Sequence, residues 1–190
     1  MSEPSRRPRR LVSSLLLVLL ATLVGCATPA SVEGMTLDPD TAATLRLRNR
    51  APFPVQVVSV TGGEDARAFD SAWVEDEGLH RALEASLTAA GFPLGGPPEA
   101  YALEAAIESL RHPTGAFDMP AFFKVRYRMT APSSEQLVFD HTIEAGYLVP
   151  FRATFSGAER LRLAVEGAAR DNIAKLVEDL VLFGSEVDSD

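Results

Sequence analysis

The stretch that decides the fold is AFFKVRYRMT, residues 121–130, because apolar and basic side chains alternate along it. The apolar positions are Phe123, Val125, Tyr127 and Met129. The basic positions between them are Lys124, Arg126 and Arg128. Successive side chains of a strand point to opposite faces, so this pattern predicts a strand with one buried and one solvated face.

Similar alternation occurs on both sides of this stretch. The upstream apolar positions are Tyr101, Leu103, Ala105 and Ile107. The downstream apolar positions are Leu137, Phe139, Ile143 and Ala145. A turn at residues 132–134 separates the central and downstream runs, which predicts a hairpin. Two earlier runs, TLRLR at 44–48 and VQVVSV at 55–60, predict strands nearer the N-terminus.

Two segments have the residue spacing of amphipathic helices. In residues 72–90 the leucines recur every four positions, and Gly91 is the expected stop. Ser156 and Glu159 form a capping box at the start of a long apolar-periodic segment, for which Gly184 is a plausible end. These signals predict one helix between the early and middle strands and one after the last strand.

The resulting order of elements is β-α-β-β-β-α. Each predicted strand has one apolar face and each predicted helix one apolar stripe, so the two kinds of element must cover each other. We therefore predict an α+β domain. Its mostly antiparallel sheet has four to five strands, depending on residues 44–48, and both helices pack on one face.

The first 25 residues are typical of a secretory signal peptide. Four arginines fall within residues 1–10, and residues 11–23 form a nearly unbroken apolar run, LVSSLLLVLLATL. At about 1.5 Å per helical residue this run measures roughly 20 Å, short of the ~30 Å hydrocarbon core of a bilayer. The pattern predicts export through a cleaved leader.

The apolar run ends in Leu23-Val24-Gly25-Cys26, which resembles the bacterial lipobox. The resemblance implies cleavage between Gly25 and Cys26, a diacylglyceryl thioether on Cys26, and acylation of the new amino terminus. Cys26 is the only cysteine in the chain. Alanine follows it instead of aspartate, which favours the periplasmic face of the outer membrane over retention at the inner membrane.

This interpretation divides the chain into four parts. Residues 1–25 are the signal peptide, 26–41 the lipidated cysteine with a flexible tether, 42–184 a single α+β domain, and 185–190 an acidic tail. The formal charge is −8 for the whole chain and −11 without the leader, which holds four arginines and one acid. Such an acidic domain disfavours nucleic acid as a partner and implies that the lipid provides the attachment to the membrane.

In element order alone, residues 42–184 resemble small envelope-assembly and transport-accessory lipoproteins. The lipopolysaccharide-assembly lipoprotein that sits inside its outer-membrane barrel has this layout. The likeness is architectural and involves no residue-level motif beyond the lipobox. It implies an envelope role and no particular activity.

The sequence offers no constellation of catalytic or metal-ligating residues. Its three histidines, His80, His112 and His141, are about thirty positions apart, and no GxSxG nucleophile motif or phosphate-binding loop occurs. We therefore expect no enzyme activity, no cofactor and no metal. His141 falls on the apolar side of its strand, where a hydrogen-bonded histidine at the sheet margin is a commoner explanation than a catalytic base.

Two features are candidates for contact with a partner. We define the cationic stripe as the basic residues of the 121–130 stretch, Lys124, Arg126 and Arg128. It is suited to an acidic partner or an anionic headgroup. The alternative is that these residues pair across strands with Asp140 and Glu144. Trp73 is suited to anchoring a partner, or to covering the edge of the core.

These observations lead to a functional prediction in three alternatives. The first is a lipid-anchored, non-enzymatic binding or assembly module for other envelope proteins. The second is a carrier or sensor that holds a small amphiphile between helices and sheet. The third is a hydrolase, for which His141 is the best candidate residue.

Overall fold

The alternating stretch forms the interior strand of a four-stranded sheet in the computed structural model, which describes residues 29–64, 72–96, 98–112, 118–132, 134 and 136–187. The strands are β1 (Val55–Thr61), β2 (Tyr101–Arg111), β3 (Met119–Thr130) and β4 (Leu137–Val149). The helices are α1 (Val32–Met35), α2 (Pro39–Arg48), α3 (Asp76–Ala89) and α4 (Gly157–Val187). A 3-10 turn, Phe151–Ala153, joins β4 to α4.

The strand order in the sheet is β1-β2-β3-β4. Strands β2, β3 and β4 form an antiparallel meander, so the predicted hairpin is confirmed. Strand β1 runs parallel to β2, because α3 carries the chain back between them. The predicted α+β class is confirmed, and so is the order β-α-β-β-β-α from β1 onward. The sheet is mixed, with one parallel pair, and two helices that were not predicted precede β1.

All the helical packing is on one face of the sheet. Helix α4 lies against β3 and β4, and α3 lies against β1. The buried positions of β3 alternate as predicted, and the core side includes Phe123, Val125, Tyr127 and Met129. The basic positions between them point away from the helices. No helix among the described residues is long and apolar enough to cross a membrane.

The predicted strand at residues 44–48 is wrong, because these residues belong to helix α2. Asp38 caps this helix by accepting a hydrogen bond from the backbone N–H of Thr41 at 2.9 Å, and Pro39 occupies its first turn. Only Ala42 and Leu45, three positions apart, are buried in it. The helix therefore uses one narrow stripe, and the alternation of Leu with Thr and Arg is incidental.

The predicted flexible tether is also wrong from residue 30 onward. Ser31 caps α1, and Met35 is completely buried. The backbone N–H of Leu37 donates to Ser86 Oγ of α3 at 3.1 Å. At the other end of the chain, α4 continues through Gly184 to Val187, so residues 185–187 of the predicted acidic tail are helical.

A buried polar network links α4 to the sheet. The Tyr127 hydroxyl donates to Asn172 Oδ1 at 2.8 Å. Asn172 Nδ2 donates to the carbonyls of Ile143 at 2.8 Å and Phe123 at 3.2 Å. Burial raises the pKa of Tyr127, so its hydroxyl stays protonated and acts as the donor. One asparagine thus fixes the position of the helix over two strands.

Candidate functional site

The cationic stripe lies on the face of the sheet that no helix covers, and its charges are paired. Arg126 binds Asp140 of β4 at 2.6 Å, whereas Lys124 and Arg128 reach Glu108 and Glu104 of β2, at 2.8 and 3.9 Å. The side-chain hydrogen bonds from Arg126 lower the pKa of Asp140. The structure places the three predicted cations together and supplies each with an acidic neighbour.

This arrangement differs in two respects from the predicted cross-strand pairing with Asp140 and Glu144. Lys124 and Arg128 pair with carboxylates of β2 instead. Glu144 pairs with Arg111 of β2, which reaches across β3, and not with a member of the stripe. All of these side chains remain substantially exposed, and exposed pairs of this kind contribute little to stability. The open face therefore offers alternating charges of both signs to a partner, with no surplus of either.

Strand β4 is the edge of the sheet on the α4 side. Within the part of the chain that the structure describes, no strand pairs with its outer edge. Unpaired strand edges bind extended segments of other chains through backbone hydrogen bonds. The open face and the β4 edge adjoin each other and together form one continuous surface.

His141 lies at this edge, on the side predicted by the alternation. Its Nδ1 is 3.0 Å from Asp179 Oδ2 of α4, and its ring packs on Phe139 with centroids 4.2 Å apart. Because β4 has no outer neighbour, the side chain is 55% exposed instead of buried. An open groove of about 310 Å³ runs beside it, lined by Val138, Phe139, Asp140, His141, Asp179, Leu182, Phe183 and Glu186.

A second open groove, of about 270 Å³, lies at the opposite end of β4. Its lining residues are Tyr147, Leu148, Val149, Pro150, Ala153, Leu163, Glu166 and Arg170. This region was not among the sites predicted from the sequence. The signal that could have found it is YLVPFRATF, residues 147–155, which places three aromatic side chains beyond the alternating part of β4.

Trp73 lies just before α3, which begins at Asp76, and is half-buried. Its indole Nε1 donates to Glu75 Oε1 at 3.4 Å, and its carbonyl accepts from the N–H of Ala30 at 2.8 Å. Trp73 thus lies beside the point where the N-terminal segment joins the domain. Gly25 and Cys26, the predicted cleavage and lipidation residues, lie outside the described residues.

Together these features define a small α+β domain with one helix-covered face, one open charged face and a free strand edge. No family model and no curated protein matches the sequence. Solved structures do resemble the fold. Protein XCC0632 from Xanthomonas campestris is 13% identical with a TM-score of 0.51, and the match covers 73% of this chain and 86% of that one.

Two other structures are similar. The hypothetical protein CT253 from Chlamydia trachomatis is 9% identical with a TM-score of 0.51, over 70% of this chain and 98% of that one. The minor lipoprotein from Acinetobacter baumannii is 12% identical with a TM-score of 0.48, over 68% and 92%. At these identities the first two matches show a shared fold, and the fold alone.

Proposed function

We propose that this protein is an exported bacterial lipoprotein, anchored through acyl chains on Cys26 and facing the periplasm from the outer membrane. The observation that carries the proposal is the tetrapeptide Leu23-Val24-Gly25-Cys26 at the end of a signal-like apolar run. The acyl chains give stable anchoring, since each buried CH₂ contributes about 0.8 kcal/mol.

Within the envelope, the protein acts as a non-enzymatic binding or assembly module for other envelope proteins. The open sheet face and the β4 edge support this role, because they join a charged surface to an unpaired strand. The groove beside His141 and Asp179 does not favour an enzyme. Its described lining residues include no serine, threonine or cysteine that could act as a nucleophile.

The anchor is tested by metabolic labelling with palmitate in a bacterial host. The expected result is a labelled wild-type protein in the membrane fraction. Cys26→Ser should be unlabelled and should retain the leader. A wild-type chain without label, processed at another bond, would contradict the lipoprotein proposal.

The binding role is tested by in-cell photocrosslinking from a reactive amino acid at Thr142, which is exposed on the open face opposite Arg126. A matched probe at Glu77, exposed on α3, is the control. We expect crosslinks to an envelope protein from position 142 and none from position 77. Recovery of no partner above the background of the control would contradict the role.

A second candidate function is that of a carrier or sensor for a small amphiphile. The observation that favours it is the groove beside His141, which combines the apolar side chains of Phe139, Leu182 and Phe183 with the carboxylate of Asp179. Mass spectrometry of lipid extracted from the purified protein tests it. Leu182→Asp should remove any copurifying amphiphile, whereas Leu47→Asp, at an exposed leucine on α2, should not.

A further inference from the structure

The end of the sheet that carries the YLVPFRATF segment presents an unusual amount of apolar surface. We define the apolar cap as Tyr147, Leu148, Phe151 and Phe155. Tyr147, Leu148 and Phe151 are 38%, 55% and 50% exposed, and Phe155 is fully exposed. Four large apolar side chains are thus exposed within nine consecutive positions at one end of the sheet, and such a concentration of exposed apolar surface marks an interaction site.

The apolar cap is held in place by α4. Arg160 Nη1 donates to the carbonyl of Thr154 at 2.6 Å, and its guanidinium stacks over the Phe151 ring at 4.7 Å. Ser156 caps α4 by accepting from the N–H of Glu159 at 3.3 Å. The segment is therefore fixed to the start of the longest helix at Phe151 and Thr154.

The N-terminal segment joins the domain at this same end. The N–H of Ser31 donates to Glu166 Oε1 at 2.8 Å, and Glu166 lines the groove beneath Tyr147 and Leu148. Arg170 connects the same parts, since it donates to the Gly34 carbonyl at 3.3 Å and its guanidinium lies 5.6 Å from the Tyr147 ring centroid. The fold thus places the N-terminal segment against the apolar cap.

The short connection restricts how far the domain can stand from its anchor. From Cys26 to Ser31 an extended chain spans at most about 17 Å. Along α4, Glu166 is about 14 Å from Gly157, where the helix begins beside the apolar cap. The two lengths are comparable, so a bilayer that holds the acyl chains of Cys26 lies within reach of the cap.

The charge near the apolar cap suits a lipid surface better than the domain as a whole does. Residues 150–170 contain four arginines and two glutamates, whereas the chain after the leader carries a net charge of −11. Arg152 is exposed between Phe151 and Phe155. Aromatic rings flanked by arginine are typical of side chains at a membrane interface, where the rings enter the headgroup region and the cations meet phosphates.

We propose that the apolar cap is a membrane-contact surface, which rests on the bilayer that holds the acyl chains of Cys26. This inference depends on the proposed lipid anchor and adds a fixed orientation to it. In this orientation the C-terminal end of β4 faces the bilayer, and the loop between β4 and α4 lies in the headgroup region. The open face and the β4 edge then project away from the bilayer toward other proteins.

The experiment uses the full chain, processed in a bacterial host and reconstituted in vesicles of phosphatidylethanolamine and phosphatidylglycerol. Acylation blocks the Cys26 sulfur, so Phe155→Cys introduces the only free thiol for a bimane fluorophore. Leu47→Cys is the control, because it is an exposed leucine at the far end of the domain. Its neighbour Arg48 pairs with Glu178 at 3.7 Å, about 32 Å along α4 from Gly157.

Nitroxide-labelled lipid in the bilayer reports contact by quenching. We expect loss of most of the bimane emission at position 155 and little loss at position 47, with the reverse ranking for aqueous iodide. Equal quenching by lipid at both positions would overturn the proposed orientation. Strong iodide quenching at position 155 would overturn it as well, and would leave a protein partner as the occupant of the apolar cap.

The mass of the N-terminal peptide separates failure of this inference from failure of the anchor. A peptide that carries acyl groups, in a protein unquenched at position 155, overturns the membrane contact alone. A peptide that lacks acyl groups overturns both proposals. Arg152→Cys, a second label site within the same segment that leaves all four apolar side chains intact, should reproduce the result at position 155.

Discussion

Gly167 is a position where α4 packs closely on β4, and it gives a sharp test of the packing. A Cβ atom at Gly167 would lie 2.3 Å from both Cγ and Cδ1 of Tyr147 and 2.8 Å from Cε1. Carbon atoms in favourable contact are about 3.5–4.0 Å apart. The ring of Tyr147 would therefore have to move by more than 1 Å to make room for a methyl group.

Two opposing effects decide the outcome of Gly167→Ala. In a helix interior alanine is more stable than glycine by about 1 kcal/mol. Inserting a methyl group into a close contact costs about 1–3 kcal/mol, through displacement of the ring and loss of its packing on the helix. We therefore expect a net loss of about 1 kcal/mol in the free energy of unfolding.

The assay is urea denaturation of the Cys26→Ser chain that lacks residues 1–25, followed by far-UV circular dichroism. Gly78→Ala in α3 is the matched control, since its Cβ would make only ordinary contacts, with the terminal methyl of Met35 at 3.4 Å and Cβ of Glu75 at 3.9 Å. That substitution should be neutral or stabilising. In a Tyr147→Ala background the obstacle is gone, so Gly167→Ala should then stabilise the fold.

The strictest test of this prediction is the change of sign: Gly167→Ala should destabilise the fold when Tyr147 is present and stabilise it when Tyr147 is replaced by alanine. If Gly167→Ala raises the urea midpoint while Tyr147 is present, the close approach of helix and strand does not exist. If it lowers the midpoint equally in both backgrounds, the cost does not come from the Tyr147 ring. Either result would refute the reasoning and weaken the structural basis of the apolar cap.

Three further predictions concern individual side chains and use the same chain. Tyr127→Phe should lower the free energy of unfolding by about 1–2 kcal/mol, because it leaves Asn172 Oδ1 buried without its donor; an unchanged urea midpoint would contradict the network. The hydrogen bond from the Thr41 N–H lowers the pKa of Asp38, so the stabilisation it gives is present above the ordinary aspartate pKa and is lost as pH falls through the lowered value. Asp38→Ala should therefore cost about 1 kcal/mol at pH 7 and less at pH 3, and a pH-independent difference would refute this. Glu166→Ala should speed amide hydrogen exchange across residues 31–35 and leave β3 protected; uniform acceleration would indicate global destabilisation instead.

The middle of the fold was predictable because its patterns are local and unambiguous. Strand β3 shows strict alternation, the turn before β4 is short, and Ser156 caps α4 where the sequence indicated. The positive φ of Gly91 likewise follows from its place after α3, since glycine tolerates the left-handed conformation that ends a helix. In each case one residue type has one strong preference.

The N-terminal region was not predictable by the same means. Residues 44–48 alternate as a strand does, yet tertiary packing needs only Leu45 from them. The signal that outweighs the alternation is Asp38-Pro39, a cap followed by a proline in the first helical turn. Helix α1 is a single turn, and burial of Met35 depends on contacts with distant elements that no local pattern records.

The candidate sites show the same contrast between features set by local sequence and features set by the whole topology. The alternation predicted which face His141 would occupy, but the exposure of that residue follows from β4 being an edge strand, a property of the whole topology. Pairing of Lys124 and Arg128 with β2 depends on strand neighbours and register that the sequence leaves open. The apolar cap can be interpreted as a membrane-contact surface only because the N-terminal segment lies beside it, and the sequence does not show that proximity.

The hydrogen bond between Ser31 and Glu166 joins residues 135 positions apart, which constrains the order of folding. It cannot form on a growing chain until almost all of the sequence has been made. Until then residues 31–35 lack the α4 surface against which they pack. Docking of the N-terminal segment is thus a late event, one that follows synthesis of the helix near the other end of the chain. A chain truncated before residue 166 would leave that segment undocked even if the sheet formed.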